Sequence, residues 1–386
     1  MEPAPGHLVN GPAWFAGLMS GTSLDGVDAV LALLDSDEPA AGADGTAAPV
    51  CILELHHAHR PFPASLRAEL LALQHSGNDE LARAAIAAAD LSRHCAATLL
   101  PLVSRNGMTP ADIQAIGAHG QTVRHQPGAG YTIQLIDGAL LSELTGIPVV
   151  CDFRSADIAA GGQGAPLVPA FHAAALGGPS PRAVVNIGGM ANITVLRPGR
   201  PVTGFDCGPG NVLLDAWIMH CRGESMDHDG EWAASGAVIP ELLDRFLAHP
   251  FFALAPPKSC GREAFDLHWL LGMSLEALDP ANVQATLVEL TVCSIADAIE
   301  RHAHDARAVL TCGGGALNAH LFARLRAAMP GRTVDSTAAA GLDPMHVEAA
   351  AFAWLARQRM AGLPGNLPTV TGARGRRILG AVYPAP

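Results

Sequence analysis

Charged residues are scarce in this sequence of 386 residues: 16% are Asp, Glu, Lys or Arg, whereas 49% are hydrophobic. This composition is typical of a chain that fills sizeable cores, and it argues against an intrinsically disordered protein. The net charge of -12 argues against a general affinity for nucleic acid or for anionic membranes. An anionic small-molecule substrate stays open, because the field at a local site outweighs the net charge.

Paired cysteines, targeting segments and membrane spans are also missing. The eight cysteines are scattered without a CxxC pair, which argues against a disulfide framework and against a thiolate zinc site. The amino terminus lacks a basic patch followed by an apolar run, so we expect no signal peptide. No uninterrupted apolar segment is long enough to span a bilayer. We therefore expect a protein of the reducing cytoplasm.

The signatures GxxxxGK(S/T), HExxH and GxSxG do not occur, so several common enzyme classes are not indicated. The sequence has instead four glycine-rich turns, each at the end of a predicted strand, at Gly21, Gly161, Gly188 and Gly313. Glycine lets backbone N–H groups converge on one point, which suits a bound phosphate group. The length is typical of two or three domains.

The first glycine-rich turn lies in Gly17–Asp35, a segment that predicts a strand, a turn and a second strand. The turn, Ser20–Gly26, has two glycines, three hydroxyls and one carboxylate. Two interpretations are open: a phosphate-binding loop or an ordinary β-hairpin turn ending in Asp-Gly. About 170 residues later, Gly188–Asn192 joins the predicted strands Ala183–Ile187 and Ile193–Leu196 in the same way. The repetition predicts two related α/β halves.

Acidic residues follow several of the predicted strands. Asp152–Asp157 follows a buried strand and precedes a glycine cluster. That pattern describes either a ligand-binding loop at the carboxyl end of a sheet or a buried structural Arg–Asp pair. Asp206 ends another strand and is either a general base or a turn-forming aspartate. Glu348 lies near the start of the helix predicted over Pro344–Met360, where it contacts a ligand or interacts with the helix dipole.

Three further polar segments each have two interpretations. The histidines at 56, 57 and 59 could hold a metal ion, but a solvated strand end is the favoured interpretation. Lys258–Glu263 contains two cations and is either an anion contact or an exposed polar loop. In Cys312–Asn318 three glycines join a strand to a helix, which favours close approach by a flat ligand or a phosphate. A tight strand–helix turn would usually need only one.

Eight blocks, in order and nearly end to end, resemble the anhydro-N-acetylmuramic acid kinase family of bacterial peptidoglycan-recycling enzymes. One block alone is a weak signal, but the set is highly specific. The blocks are MSGTSLDGVD (Met19–Asp28), HGQTVRH (His119–His125), DFRSADIAAGGQGAPL (Asp152–Leu167), NIGGMANIT (Asn186–Thr194), FDCGPGN (Phe205–Asn211), KSCGRE (Lys258–Glu263), CGGGALN (Cys312–Asn318) and the helix that carries Glu348.

The resemblance implies an α/β fold of two actin-like (ribonuclease-H-like) domains. Each has a mixed sheet flanked by helices, and the nucleotide lies in the interdomain cleft. We expect residues 1–136, completed by a carboxyl-terminal segment near 362–386, as the first domain and 137–361 as the second. The resemblance also implies ATP and Mg²⁺, a homodimer, and no nucleic-acid or membrane partner. The implied reaction opens 1,6-anhydro-N-acetylmuramic acid with water and phosphorylates O6, giving N-acetylmuramic acid 6-phosphate and ADP.

The resemblance assigns roles to residues at the matching positions. Asp206 is the general base that deprotonates the attacking water. The sugar contacts are His119, Arg154, Asp157 and Glu348, and the planar fork of Arg154 suits the lactyl carboxylate. The metal ligand is left open among Asp25, Asp28 and Asp206. The nucleotide contacts are Gly21, Thr22, Ser23, Leu24, Asp25, Gly26, Val27, Asp28, Asn186, Gly188, Gly189, Asn192, Gly313, Gly314, Gly315 and Asn318.

The sequence departs from the family pattern at a few positions. Cys207 and Cys260 stand where relatives more often have threonine, and a thiol is a poorer hydrogen-bond donor if either side chain touches phosphate. Met19 stands where the wider fold usually has an aspartate near magnesium. Two other functions compete: a kinase of another sugar, and an ATP-gated binding clamp on the same fold.

Overall fold

The computed structural model describes residues 11–21, 24–35, 49–256, 258–260 and 264–386. The strands are β1 Ala13–Met19, β2 Gly26–Asp35, β3 Cys51–Pro61, β4 Ile113–Ala118, β5 Gln121–Gln126, β6 Tyr131–Leu135, β7 Val149–Cys151, β8 Arg182–Ile187, β9 Met190–Leu196, β10 Thr203–Pro209, β11 Ala308–Cys312, β12 Thr333–Ser336 and β13 Ala381–Tyr383.

The α-helices are α1 Ala64–Ala72, α2 Glu80–Arg105, α3 Gly138–Thr145, α4 Ser155–Ala159, α5 Val168–Leu176, α6 Val212–Arg222, α7 Glu231–Ser235, α8 Pro240–Leu247, α9 Pro250–Ala253, α10 Leu267–Leu271, α11 Pro280–His302, α12 Ala319–Ala328, α13 Val347–Met360 and α14 Pro368–Thr371. Short 3₁₀ turns occur at Pro110–Asp112, Pro127–Ala129, His228–Gly230, Gly314–Leu317 and Thr337–Ala340. Among the described residues, no helix is both long and apolar enough to cross a membrane.

The chain divides into two compact units, Met1–Leu176 with Glu348–Pro386, and Gly177–Val347. The sequence placed the first boundary after residue 136, forty residues earlier. The first unit extends further because β7 pairs with β4 in parallel, and β13 in turn pairs with β7. The carboxyl-terminal segment thus belongs to the first unit.

Each unit contains one mixed sheet flanked by helices, which confirms the predicted α/β class. The first sheet has the order β13-β7-β4-β1-β2-β3 and the second the order β10-β9-β8-β11-β12. In both, the first three strands of the unit form an antiparallel meander, and two later strands extend the sheet in parallel from the first strand. The shared order and directions confirm the prediction of two related halves.

Helix α13 packs against the first sheet at unusually short range because two facing strand residues are glycines. A β-carbon at Gly17 on β1 would overlap the Ala349 carbonyl oxygen and lie 2.8 Å from the Ala353 amide nitrogen. One at Gly117 on β4 would overlap the carbonyl oxygen of Phe352. The helix residues from 349 to 356 are all buried, as expected for a helix that is apolar on every face. This packing fixes the helix start, where Glu348 lies.

Candidate functional site

In the first unit, His119 and Arg154 form a hydrogen-bonded pair at the carboxyl ends of two neighbouring strands. His119 follows β4, and its amide donates to the Leu18 carbonyl of β1 (3.0 Å). Arg154 follows β7; its Nη2 lies 2.9 Å from His119 Nε2 and its Nη1 donates to the Gly164 carbonyl (2.7 Å). The Phe352 ring of α13 packs on the imidazole with the centroids 4.8 Å apart. The first unit therefore brings His119 and Arg154 together, and Glu348 lies close enough for its charge to act on Arg154.

Burial and neighbouring charges set the protonation states of His119 and Arg154. Burial, together with the positive charge of Arg154, lowers the pKa of His119 to about 3. The imidazole is therefore neutral near pH 7, and Nε2 accepts the hydrogen bond from Arg154. Burial lowers the pKa of Arg154 to about 10, and the charges of Glu348 and Asp157 oppose that shift. Arg154 thus remains a cation and can bind an anion.

Asp157 is placed differently from the other predicted sugar contacts, because its carboxylate is fully buried. Oδ2 accepts from the Gly164 amide (2.8 Å), and Oδ1 accepts from Asn366 Nδ2 (2.6 Å) and Thr371 Oγ1 (2.7 Å). Both oxygens are used by the protein itself. No sequence pattern indicated Asn366 or Thr371 as partners, because they lie more than 200 residues away.

The first glycine turn is anchored by residues that the sequence did not single out. Leu24 has a left-handed backbone (φ 53°) and a fully buried side chain. Its carbonyl accepts from Arg67 Nε of α1 (2.9 Å), and the Asp25 carbonyl accepts from the Phe62 amide (3.0 Å). Ser20 Oγ donates to Gln121 Oε1. The predicted phosphate contacts Thr22 and Ser23 lie outside the described residues.

Asp28, one of the three metal candidates, has its carboxylate within hydrogen-bond distance of two histidines. Its Oδ1 lies 2.9 Å from His57 Nε2 and 3.1 Å from His59 Nδ1. Burial raises the pKa of Asp28, but the hydrogen bonds and charges of the two imidazoles outweigh it and bring the pKa below its usual value. His56 instead pairs with Glu54 (2.8 Å). No cluster of three or more His, Cys, Asp or Glu in the described part of the chain could hold a metal ion.

In the second unit, strand register aligns three polar residues across three strands. Asn186 of β8 is paired with Asn192 of β9, and Asn192 is paired with Asp206 of β10. Paired residues on neighbouring strands point to the same face of a sheet, so these side chains form one polar row. The row lies next to the glycine turn at Gly188–Gly189, which joins β8 to β9. The sequence predicted each residue, but only the register shows that they are neighbours.

Asp206 is held at a register shift of β10 by the segment Lys258–Cys260. The Cys260 amide donates to Asp206 Oδ2 (3.0 Å), and the Asp206 amide donates to the Lys258 carbonyl (3.1 Å). Burial raises the pKa of Asp206 to about 6, while the Cys260 amide and the Lys258 charge act in the opposite direction. Lys258 Nζ is fixed in turn by the Phe251 carbonyl (3.2 Å) and lies 4.4 Å from the Phe251 ring centroid. A carboxylate with a pKa near 6 is suited to general-base catalysis at neutral pH.

The two cysteines that depart from the family pattern have different surroundings. Cys207 is buried in the hydrophobic core of the second unit, and burial raises its pKa far above the usual value. Its thiol therefore lies in the core and not in the polar row. Cys260 is partly buried at the edge of the same core, and its backbone amide is the group that contacts Asp206.

The glycine turn at Gly188–Gly189 contacts two other glycine-rich segments of the second unit, at Gly210 and at Gly313. The Gly188 carbonyl accepts from the Asn211 amide (2.8 Å), and the Gly189 carbonyl accepts from the Gly210 amide (2.9 Å). Gly313 has a positive φ of 78°, and a β-carbon there would overlap Asn186 Oδ1. A β-carbon at Gly315 would likewise overlap the Ile187 side chain, so glycine is required here by the close approach of β8.

Asn318, predicted as a nucleotide contact, caps a helix. Its Oδ1 accepts from the Leu321 amide of α12 (2.9 Å). We expect Asn318→Ala to lower the free energy of unfolding by about 1 kcal/mol, the usual cost of a lost cap. Asn318→Asp keeps the acceptor and is the matched control. Urea unfolding measures the stability, and the KM for ATP should stay unchanged in both variants; a large rise in that KM with Asn318→Asp would mean that the amide contacts nucleotide.

Comparisons with known proteins point to one family. The family model for anhydro-N-acetylmuramic acid kinase matches residues 13–385. The anhydro-N-acetylmuramic acid kinase of Bordetella pertussis is 53% identical over 387 residues, covering 99% of this chain and 97% of that protein. The one from Nitrosospira multiformis is 50% identical over 376 residues, covering 97% and 99%.

Solved structures match with low sequence identity. An activator of 2-hydroxyisocaproyl-CoA dehydratase from Clostridium difficile with bound ADPNP has a TM-score of 0.44 and 12% identity, covering 90% of this chain and 96% of that one. A ROK family glucokinase from Streptomyces griseus in complex with glucose and AMPPNP has a TM-score of 0.38 and 14% identity, covering 88% and 98%.

Proposed function

Because this chain belongs to the anhydro-N-acetylmuramic acid kinase family, we propose that it converts 1,6-anhydro-N-acetylmuramic acid, water and ATP to N-acetylmuramic acid 6-phosphate and ADP. The observation that carries the chemistry is Asp206, a carboxylate with a raised pKa that is held by a backbone amide in a polar row. Recycling of cell-wall sugar in the cytoplasm, by a homodimer, is part of the same proposal.

Asp206 acts as the base in the ring-opening step. It takes a proton from water as the water oxygen attacks C1 of the sugar, and the bond from C1 to the bridging oxygen breaks. That oxygen, now O6, attacks the γ-phosphorus of ATP, and ADP leaves. Phosphoryl transfer mainly requires positioning and charge neutralisation, so a single well-placed base serves both steps. The Cys260 amide keeps the carboxylate oriented without removing its basicity.

Arg154 binds the lactyl carboxylate of the sugar. It remains charged near pH 7, and its guanidinium is oriented from one side by His119 and from the other by the Gly164 carbonyl. A planar guanidinium makes paired hydrogen bonds to a carboxylate, which an ammonium cannot reproduce. Glu348 lies within electrostatic reach of Arg154 and is suited to contact a sugar hydroxyl.

The nucleotide contacts come from backbone groups of the glycine turns. The turn at Ser20–Gly26 and the turn at Gly188–Gly189 would bind the phosphates, and Gly313–Gly315 would lie near the adenosine. Mg²⁺ prefers oxygen ligands and keeps several waters. The amide oxygens of Asn186 and Asn192 fit this preference and leave the Asp206 carboxylate available as the base, whereas Asp28 Oδ1 faces two imidazoles. When bound, the ion neutralises charge on the transferred phosphoryl group.

An ADP-release assay with Mg-ATP tests the function. We expect release that depends on 1,6-anhydro-N-acetylmuramic acid, with a 6-phosphate product detected by mass spectrometry. Release with glucose but not with the anhydro sugar would favour a kinase of another sugar. Slow ATP hydrolysis at a rate that neither sugar changes would favour an ATP-gated binding clamp.

Arg154→Lys is expected to raise the KM for the anhydro sugar about tenfold or more, because a lysine loses the paired hydrogen bonds to the carboxylate. The KM for ATP should change less than about twofold. Arg93→Lys is the matched control, since Arg93 is exposed and pairs with Asp90 on the same helix. An unchanged sugar KM in Arg154→Lys would contradict the assignment of the carboxylate contact.

A further inference from the structure

Asp157 occupies a position that the proposed sugar site alone does not explain. The side chain is fully buried, so it offers no surface to a ligand. A carboxylate is costly to bury unless hydrogen bonds and charges compensate it. Here three donors do so: the Gly164 amide, the Asn366 side-chain amide and the Thr371 hydroxyl. We therefore expect the Asp157 carboxylate to hold neighbouring groups of the protein in place.

The supported group is Arg154, and the connection runs through Gly164. The Gly164 amide donates to Asp157 Oδ2 (2.8 Å), and the Gly164 carbonyl accepts from Arg154 Nη1 (2.7 Å). Gly164 adopts a left-handed backbone (φ 67°), which a residue with a side chain rarely takes. Its backbone is thus fixed at both ends. Displacement of Asp157 would move the carbonyl that orients the guanidinium.

The carboxyl-terminal segment holds Asp157 in turn. Asn366 is 2% exposed and Thr371 is 1% exposed, and the Asn366 oxygen accepts from the Arg377 amide (2.6 Å). Two backbone hydrogen bonds join the same segments: the Gln163 amide to the Thr371 carbonyl (2.8 Å) and the Arg374 amide to the Ala160 carbonyl (2.9 Å). The segment from 366 to 377 therefore packs directly on the loop that follows α4.

A β-carbon at Gly162, in the loop that follows α4, would disrupt the hydrogen bonds of Asp157. At Gly162 it would overlap Asp157 Oδ2, so the glycine cluster that the sequence displays serves Asp157 at this position. The two ends of the network are more than 200 residues apart in sequence, and only the fold brings them together.

We propose that Asp157, Asn366 and Thr371 form a positioning network that acts through Gly164 to orient Arg154 toward the substrate carboxylate. Asp157 is a positioning residue and makes no contact with the sugar. The inference rests on the proposed function, because it requires Arg154 to bind the lactyl group. It makes the carboxyl-terminal segment a determinant of substrate affinity.

Thr371→Val tests the network with the smallest change, since it replaces one hydroxyl with a methyl group of similar size. We expect the KM for 1,6-anhydro-N-acetylmuramic acid to rise about fivefold, in the range of the net contribution of one typical hydrogen bond. Both kcat and the KM for ATP should change less than about twofold. Thr371→Ser keeps the hydroxyl and should behave as the parent. Asp157→Asn should raise the same KM further, because its NH₂ group faces donors.

A sugar without the carboxylate separates positioning from general damage. The inhibition constant of 1,6-anhydro-N-acetylglucosamine, which lacks the lactyl group, should not change in Thr371→Val. Parallel weakening of both sugars would overturn the proposal, because it would mean that the whole site is distorted. An unchanged KM for the lactyl sugar in folded Thr371→Val would overturn it as well.

A further measurement distinguishes failure of the positioning network from failure of the proposed kinase function. If the parent protein does not turn over the anhydro sugar, the kinase assignment fails, and the ¹⁵N signals of the Arg154 guanidinium still test the network. Slow hydrogen exchange at Arg154 should be lost in Thr371→Val and kept in Thr371→Ser. Equal exchange in the two variants would contradict the link between Thr371 and Arg154.

Discussion

Replacement of Asp206 with Asn is expected to lower kcat by about 10²- to 10⁴-fold, the range typical of losing a general base. The substitution is nearly isosteric, and the amide oxygen of asparagine can still accept from the Cys260 amide, which now donates to Asp206 Oδ2. The fold and the polar row should therefore persist. Single-turnover measurement of ADP formation with saturating sugar reports the loss directly.

The pH profile identifies Asp206 more specifically. Its pKa is raised to about 6 because of burial, so the carboxylate is the main form above pH 6 and the neutral acid below it. We expect kcat/KM for the sugar to fall as the pH drops through about 6, and to fall tenfold per unit below that value for a single required base. In Asp206→Asn the residual activity should lose this dependence.

Stability has the opposite dependence on pH at this residue. A carboxyl whose pKa is raised in the folded state binds its proton more tightly there than in the unfolded chain, so its contribution to stability decreases as the pH rises from about 4 to about 6. Asp206→Asn removes this penalty and should not destabilise the protein at pH 7. Urea unfolding at pH 7 should therefore show a midpoint for Asp206→Asn no lower than that of the parent, which separates loss of activity from loss of the fold.

Asp297→Asn is the matched control. Asp297 lies on α11, and its negative charge acts on Lys258, the same lysine that influences the pKa of Asp206. It is paired with Arg301 at the surface (2.8 Å). This variant removes one nearby negative charge without touching the proposed base, and kcat should change less than about twofold. Full activity in Asp206→Asn, or equal losses in the two variants, would show that the base is another residue.

Gly17→Ala is expected to destabilise the first unit by about 3 kcal/mol or more, at the upper end of overpacking costs. The new β-carbon would overlap the Ala349 carbonyl oxygen and lie 2.8 Å from the Ala353 amide nitrogen. Both are backbone atoms of α13, so no side chain can move aside and the whole helix must shift. Because Glu348 lies at the start of this helix, activity should fall together with stability.

Gly128→Ala is the control for this substitution. Gly128 has no heavy atom within 4 Å of a β-carbon position, so its replacement should change the free energy of unfolding by less than about 0.5 kcal/mol. Urea denaturation followed by circular dichroism compares the two variants. Equal stability of Gly17→Ala and Gly128→Ala would mean that α13 does not approach β1 as closely as described.

Local sequence patterns were sufficient for several features. The segments around Gly21 and Gly188 each predicted a strand, a glycine turn and a strand, and the shared sheet order confirms the two related halves. Eight ordered blocks indicated the family, and the family model spans residues 13–385. These features are readable because they depend on residues that are adjacent in the chain, where glycine and alternating apolar residues directly limit the backbone.

Other features depended on contacts between distant segments. Asp157 looked like a ligand contact in sequence, but the structure surrounds it with Asn366, Thr371 and Gly164. The sequence did not indicate the carboxylate partner of His57 and His59, because strand pairing supplies it as Asp28. A local pattern cannot identify such partners, because a hydrogen bond is indifferent to separation along the chain.

The sequence by itself determined the α/β class, the duplicated glycine turns and the family, because each is carried by short, contiguous patterns. The tertiary structure alone decided which acids are available for chemistry. The Asp28 carboxylate faces imidazoles, and the Asp157 carboxylate accepts hydrogen bonds from three internal donors. In contrast, burial raises the pKa of Asp206 to about 6. Burial and hydrogen bonding set the proton affinity of a carboxyl group, and both depend on residues that only folding brings together.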